Sequence, residues 1–116
     1  MKRAGSKNGS VRLAAGALGL IMAAPAAGAN DAKTVAYGRH LSGECSACHR
    51  VDGTDNGIPS ITGWKPEEFV ATLSFYRNGE RNNPAMVSVA QSLDEEQMAA
   101  LAAYYGSLTK GPGSKR

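Results

Sequence analysis

Apolar residues recur along the chain at steps of three and four, which predicts three helices. They are Val35, Gly38 and Leu41 in the first helix, Phe69, Leu73 and Tyr76 in the second, and Met98, Leu101, Tyr105 and Leu108 in the third. The first helix is expected over about residues 31–42. Pro66 suits the start of the second helix and Gly79 its end. Asp94 and Gln97 are placed to form a capping box at the start of the third.

Two long stretches, residues 51–64 and 80–92, are predicted to be loops. No part of the sequence alternates polar and apolar residues over enough length to form a strand. The predicted fold class is therefore all-α. Loops of this length in a small helical domain need a surface to pack against.

The N-terminal segment differs in composition from the rest of the chain. Four basic residues precede an uncharged stretch that ends in Ala27-Gly28-Ala29. A basic start, an apolar run and a small-x-small end are the parts of a secretory signal peptide. We expect three segments, namely a signal peptide at residues 1–29 that is removed on export to the periplasm, a domain at residues 30–109 and a flexible tail at residues 110–116. The alternative is an uncleaved membrane anchor facing the periplasm, but the run is shorter than the ~20 residues that span a bilayer.

The basic character of the whole chain belongs to that segment. The 116 residues carry a formal charge of +3, but residues 1–29 hold four of the 13 basic residues and none of the 10 acidic ones. The remaining 87 residues hold nine basic and ten acidic side chains, so their net charge is −1. Nucleic-acid binding needs a cationic face, so no nucleic-acid partner is expected. A domain of this size has a marginal core, which favours a prosthetic group.

One pentapeptide, Cys45-Ser46-Ala47-Cys48-His49, is typical of the covalent attachment of c-type haem. On a helical turn, positions i and i+3 share a face, so both sulfurs can reach the two vinyl groups on one edge of a porphyrin. The imidazole of His49 then lies beneath the iron. Cys45 and Cys48 are therefore predicted to bind one haem c through two thioethers, with His49 as an axial iron ligand.

Three other uses of the cysteines explain less of the sequence. A redox-active disulfide favours a thioredoxin-like arrangement of strands and helices, which the pattern lacks. A zinc site needs four ligands, and only Cys45, Cys48, His49 and His40 are available. A structural disulfide leaves His49 and the small core unexplained.

The second axial position has four candidates, namely His40, Met86, Met98 and no protein ligand. His40 precedes the attachment motif on the same side of the turn, so we expect it to be a surface residue. Met98 lies on the apolar stripe of the third helix and suits core packing. Met86 lies in the predicted loop 80–92, from which a thioether can be laid over a porphyrin face. Met86 is therefore the predicted ligand.

With these features the chain resembles the class I c-type cytochromes over about residues 35–108, in particular a small single-haem bacterial type similar to one half of the two-haem periplasmic cytochromes. The matching motifs are, in order, Gly38 and Leu41, Cys45-Ser46-Ala47-Cys48-His49, Gly57-Ile58-Pro59-Ser60-Ile61, Met86, Leu93 and Leu101-Ala102-Ala103-Tyr104. The resemblance implies a fold of about three helices and two long loops around one haem. It also implies that the first and last helices cross at Gly38, beside Leu101 and Tyr104. The Pro59 carbonyl should accept a hydrogen bond from Nδ1–H of His49.

The indicated function is electron transfer without substrate chemistry. With both axial positions filled, the iron is closed to substrates, and a dry apolar site favours the uncharged ferrous form. Redox proteins that dock transiently are the expected partners. Four cations are either docking charges or ordinary surface charges; they are Arg50, Lys65, Arg77 and Arg81. Trp64 is either a donor to a haem propionate or a core residue.

Three alternatives to a free carrier stay open. The chain could be the cytochrome subunit of a larger oxidoreductase, such as a flavin-containing sulfide dehydrogenase. It could instead be a peroxidase-like or ligand-binding haem protein with an open sixth site. The third class is a thiol–disulfide oxidoreductase or structural protein without haem.

Overall fold

The computed structural model describes residues 31–110, together with residues 5, 16, 17, 19 and 20. The predicted cleavage site after Ala29, most of the predicted signal peptide and residues 111–116 of the predicted tail lie outside the described residues. Every regular element of the described part is a helix, which confirms the all-α fold class. The helices are α1 (Ala32–Leu41), α2 (Gly43–Ser46), α3 (Pro66–Arg77), α4 (Pro84–Gln91) and α5 (Glu95–Ser107).

The second predicted helix, α3, begins and ends where the sequence indicates. Pro66 is its first residue, a position at which the missing N–H of proline costs no hydrogen bond. Past its end, Gly79 has a φ of 77°. The amides of Gly79 and Glu80 donate to the carbonyls of Tyr76 and Phe75, at 3.2 and 2.8 Å. These two bonds are a Schellman ending, which satisfies carbonyls that the helix leaves unpaired.

The last helix, α5, has the predicted capping box. The Asp94 side chain accepts a hydrogen bond from the amide of Gln97 at 2.8 Å, and the Gln97 side chain accepts one from the amide of Asp94 at 3.0 Å. Two amides at the start of α5 are thereby satisfied. At α1, by contrast, the side chain of the N-cap residue Asp31 makes no capping bond.

The prediction of an irregular loop over residues 80–92 is wrong in part, because Pro84–Gln91 form α4. The start of α4 has a local cause. The Asn83 side chain accepts a hydrogen bond from the amide of Met86 at 3.2 Å, and Pro84 takes the first helical position. The residues after Pro84 are apolar with little polar spacing, so periodicity alone does not indicate a helix there.

The core forms where α1 crosses α5. Gly38 is buried at this crossing, and a Cβ there would overlap the Ala100 carbonyl and lie 2.8 Å from Cβ of Tyr104. The close approach that the resemblance implies is therefore present. The buried residues of the core are Phe69, Leu73, Ala90, Met98, Leu101, Ala102 and Tyr105. Within the described residues, no helix is long and apolar enough to cross a membrane.

Candidate functional site

The attachment turn, residues 45–49, begins within α2 and extends past its end. The amides of Cys48 and His49 both donate to the carbonyl of Cys45, at 3.1 and 2.7 Å. The chain therefore stays helical past the end of α2, and the two cysteines lie one turn apart. Their thiols are free; Cys45 is half-buried and Cys48 is exposed. The turn thus carries two available sulfurs and one imidazole within five residues.

The ring of His49 is oriented by the backbone of a neighbouring loop. Its Nδ1 atom lies 2.7 Å from the carbonyl oxygen of Pro59. Because a carbonyl oxygen only accepts, Nδ1 is the donor, and in the neutral imidazole the lone pair is then on Nε2, where a metal can bind. A bond of this kind fixes the tautomer and makes the imidazole a stronger ligand. The contact that the resemblance implies is therefore present.

The loop that contains Pro59 is held near both of its ends. At its start, the Arg50 guanidinium forms an ion pair with Asp52 at 2.6 Å, and Asp52 also accepts from the amide and hydroxyl of Thr54. These donors, Arg50 first, hold the pKa of Asp52 well below its usual range. At its end, the amide of Gly63 donates to the carbonyl of Tyr105 at 2.9 Å. The loop is therefore tied to α5.

A buried hydroxyl lies behind the attachment turn. The Tyr105 side chain is fully buried, its oxygen is 2.9 Å from Oγ of Ser46, and it donates to the carbonyl of Ser42 at 3.4 Å. Burial raises the pKa of Tyr105 to about 12, against the opposing effect of the Ser46 hydroxyl. Burial also raises the pKa of the Cys45 thiol, against the opposing effect of the Tyr105 hydroxyl. Both groups are therefore neutral at pH 7.

This hydroxyl contact is the part of the site that sequence reasoning misses. Tyr105 is assigned above to an apolar stripe, and its ring does pack in the core, stacked on Phe69 at 5.7 Å. The partner Ser46 is 59 residues away in the sequence. No local pattern links two positions that far apart, so no signal in one sequence could have found the contact.

The candidates for the second axial position lie in three different environments. Met98 is fully buried, as expected of a core residue. His40 is exposed on α1 and lines an open cleft of about 370 Å³ with Leu93. Met86 is half-buried at the third position of α4, and its side chain packs against the same core as Cys45. Met86 is therefore presented by a capped helix start, whereas the prediction places it in a loop.

The predicted docking cations are mostly engaged within the protein. Their partners are Asp52 for Arg50 at 2.6 Å, Glu95 for Arg77 at 3.6 Å and the ring of Tyr76 for Arg81, whose guanidinium carbon is 4.8 Å from the ring centroid. Lys65 is exposed at the start of α3. These contacts favour the interpretation of ordinary surface charge.

Trp64 packs against the core, and its indole N–H makes a hydrogen bond. Its ring meets Phe69 edge to face, with centroids 6.3 Å apart. Its indole N–H donates to the carbonyl of Ser60 at 3.1 Å. The protein thus supplies an acceptor for the indole, so its place in the fold does not require a haem propionate.

The donor set suits a covalently bound haem. Two free thiols one turn apart and an imidazole with an available Nε2 are what thioether attachment and axial ligation need. The loop between His49 and Pro59 also leaves Val51 and Ile58 50% and 41% exposed, apolar surface of the kind that a porphyrin covers. A zinc site finds no support in the described part of the chain, where no three His, Cys, Asp or Glu residues are grouped as metal ligands.

Comparison with known proteins gives consistent matches. The sequence profile of the family described as "Cytochrome C oxidase, cbb3-type, subunit III" matches residues 25–104. The cytochrome subunit of sulfide dehydrogenase from Chlorobaculum tepidum is 36% identical over 78 residues, which cover 66% of this chain and 71% of that protein. Cytochrome c-554(548) from Halomonas halodenitrificans is 36% identical over 77 residues, which cover 62% and 93%. Cytochrome c4 from Thiocapsa roseopersicina is 34% identical over 77 residues, and the chain covers 38% of its length.

The family match spans most of the site and ends one residue before Tyr105. It includes the attachment turn, the loop with Pro59, Met86 on α4 and most of α5. The resemblance stated from the sequence motifs is confirmed, and a family of this kind implies covalently bound haem c. The chain therefore belongs to the family of cytochrome c oxidase, cbb3-type, subunit III, as a small c-type cytochrome that serves in electron transfer.

Proposed function

We propose that this cytochrome carries one electron at a time in the periplasm, on a single haem. Cys45 and Cys48 would hold the haem through thioethers, and Nε2 of His49 and the sulfur of Met86 would be its iron ligands. The observation that carries the proposal is the hydrogen bond from Nδ1 of His49 to the Pro59 carbonyl. It leaves Nε2 free in the same turn that presents both thiols.

The protein residues would then determine the balance between the ferrous and ferric states. When bound, the haem supplies a one-electron iron couple. His49 and Met86 are neutral ligands, and a thioether favours the ferrous state. With both ligands supplied by the protein, the iron would be closed to substrates and would keep the same ligands in both oxidation states. The cap that Asn83 gives to the amide of Met86 fixes the start of α4 from which the thioether projects.

The location and the haem count are tested on the exported protein. The full chain is expressed in a bacterial host that matures c-type cytochromes and is recovered from the periplasmic fraction. We expect a coloured protein that begins at Asn30, with an intact mass that exceeds the polypeptide mass by one haem. A colourless product lighter by two hydrogens would instead support a disulfide protein. A product that retains residues 1–29 and stays with the membrane would support the anchor.

The Chlorobaculum tepidum relative favours a second candidate, in which this chain is the cytochrome subunit of a flavin-containing sulfide dehydrogenase. Analytical ultracentrifugation of the protein, purified from its own organism without overexpression, distinguishes the free carrier from the subunit. A single species of the chain's own mass supports the free carrier. Co-sedimentation with flavin absorbance in fixed ratio to haem supports the subunit.

A further inference from the structure

We infer that Tyr105 is a positioning residue for the axial histidine, because it binds both of the segments that the His49–Pro59 hydrogen bond joins. The inference rests on the haem site proposed above. Neither the motif that attaches the haem nor the family match assigns a role to this tyrosine hydroxyl.

The side chain of Tyr105 holds the attachment turn. Its oxygen is 2.9 Å from Oγ of Ser46, which lies between the two cysteines, and 3.4 Å from the carbonyl of Ser42. The same Ser42 carbonyl accepts the amide of Ser46 at 2.9 Å. The hydroxyl therefore contacts the residue before α2 and the last residue of α2, three residues before His49.

The backbone of Tyr105 holds the opposite segment. Its carbonyl accepts the amide of Gly63 at 2.9 Å, near the end of the loop that contains Pro59. The residue has little freedom to move, because its ring is fully buried, stacked on Phe69 at 5.7 Å and in edge contact with Tyr104 at 5.0 Å. One buried residue thus contacts both the His49 turn and the Pro59 loop.

Loss of the Tyr105 hydroxyl should therefore change the reduction potential of the iron through its effect on His49. Ser46 would lose its partner, and the attachment turn would gain freedom relative to the loop. The hydrogen bond between Nδ1 of His49 and Pro59 would lengthen on average, and the imidazole would become a weaker base. A weaker base stabilises ferric iron less, so the equilibrium shifts toward the ferrous state.

The test is a double-mutant cycle on the haem-loaded protein. The variants are Tyr105→Phe, Ser46→Ala and the two together, with Tyr104→Phe as the matched control that loses a hydroxyl from the preceding position of α5. The readouts are the reduction potential and the exchange rate of Nδ1–H of His49 by NMR. We expect each single variant to shift the ferrous/ferric equilibrium at least threefold toward ferrous, about 30 mV at 59 mV per tenfold. The double variant should shift it no further, and Tyr104→Phe should not shift it.

Three results would overturn the inference: unchanged potentials in both single variants, a shift toward the ferric state, or effects that add in the double variant. If Tyr105→Phe does not mature, Ser46→Ala alone decides, since it removes the other half of the contact without changing the core. Failure of the proposed haem site is distinct from these results, because the unsubstituted protein would then contain no covalent haem.

Discussion

Nδ1 of His49 lies 2.7 Å from the carbonyl oxygen of Pro59, ten residues further along the chain. The acceptor is a backbone carbonyl, which is not a titratable group, and no side-chain substitution removes it. The orientation of the imidazole therefore depends on the backbone conformation of the loop that contains Pro59. Perturbing it requires moving one of the two segments.

Replacing the thioether of Met86 tests the second axial ligand. In Met86→Leu we expect the ferrous protein to bind carbon monoxide. The ferrous/ferric equilibrium should shift at least tenfold toward ferric, because a soft ligand that stabilises ferrous iron is lost. The measurements are the absorbance spectrum with and without carbon monoxide and the reduction potential.

Met98→Leu is the matched control, because it removes a thioether from the buried core at similar volume. It should cost less than about 1.5 kcal/mol in stability and leave the potential unchanged. If Met86→Leu behaves like the control and His40→Gln opens the iron to carbon monoxide, His40 is the ligand. If none of the three variants changes the spectrum, the sixth site is open in the unsubstituted protein.

Adding a methyl group at the crossing of α1 and α5 should separate the two helices. In Gly38→Ala the new Cβ overlaps the Ala100 carbonyl, which is backbone and cannot rotate away. We expect a loss of about 1–3 kcal/mol in the free energy of unfolding, measured by urea denaturation. Gly43→Ala is the control, since a Cβ at that position has no atom within 4 Å. Equal stability of the two variants would contradict the close approach.

The stability that the capping box of α5 contributes can be measured by comparison with α1, whose N-cap side chain makes no capping hydrogen bond. Asp94→Ala removes the acceptor for the amide of Gln97 and should lower the free energy of unfolding by about 1 kcal/mol. Asp31→Ala changes the N-cap residue of α1, whose side chain caps no amide, and should cost less. Thermal and urea denaturation of both variants provide the comparison. A larger loss in Asp31→Ala would argue against the box.

The buried hydroxyl of Tyr105 should make stability fall at alkaline pH. Its pKa is raised from 10.0 to about 12, chiefly by burial, so the folded state holds a proton that the unfolded state releases first. The contribution is complete below pH 10 and is lost as pH rises through about 12. Tyr105→Phe should therefore flatten the decline in unfolding free energy between pH 10 and 12, and Tyr104→Phe should not. An unchanged slope in Tyr105→Phe would contradict the assignment.

The features that could be predicted from the sequence are those that depend on residues close together in the chain. The end of α3 at Gly79 and the capping box at Asp94 involve contacts within five residues, and both are found where predicted. The haem motif is equally local. The start of α4 also has a local signal, the cap that Asn83 provides. The residues that follow are mostly apolar, so their periodicity does not indicate a helix.

The rest of the site depends on long-range contacts. The Tyr105–Ser46 bond joins residues 59 positions apart, and spacing along one chain carries no information about it. The His49–Pro59 contact was expected from the family resemblance and not from the residues alone. Whether Met86 reaches the iron stays a prediction for the same reason, because the fold determines which face of α4 meets the attachment turn.

The order of the helices has a consequence for biogenesis. α1 supplies Gly38 and α5 closes over it, and these are the first and last helices of the described domain. A nascent chain cannot assemble this pair until the last helix has been made. The core therefore stays open while most of the polypeptide is being made. Until the C-terminal helix docks, Cys45, which is half-buried in the folded chain, is as accessible to haem attachment as the exposed Cys48.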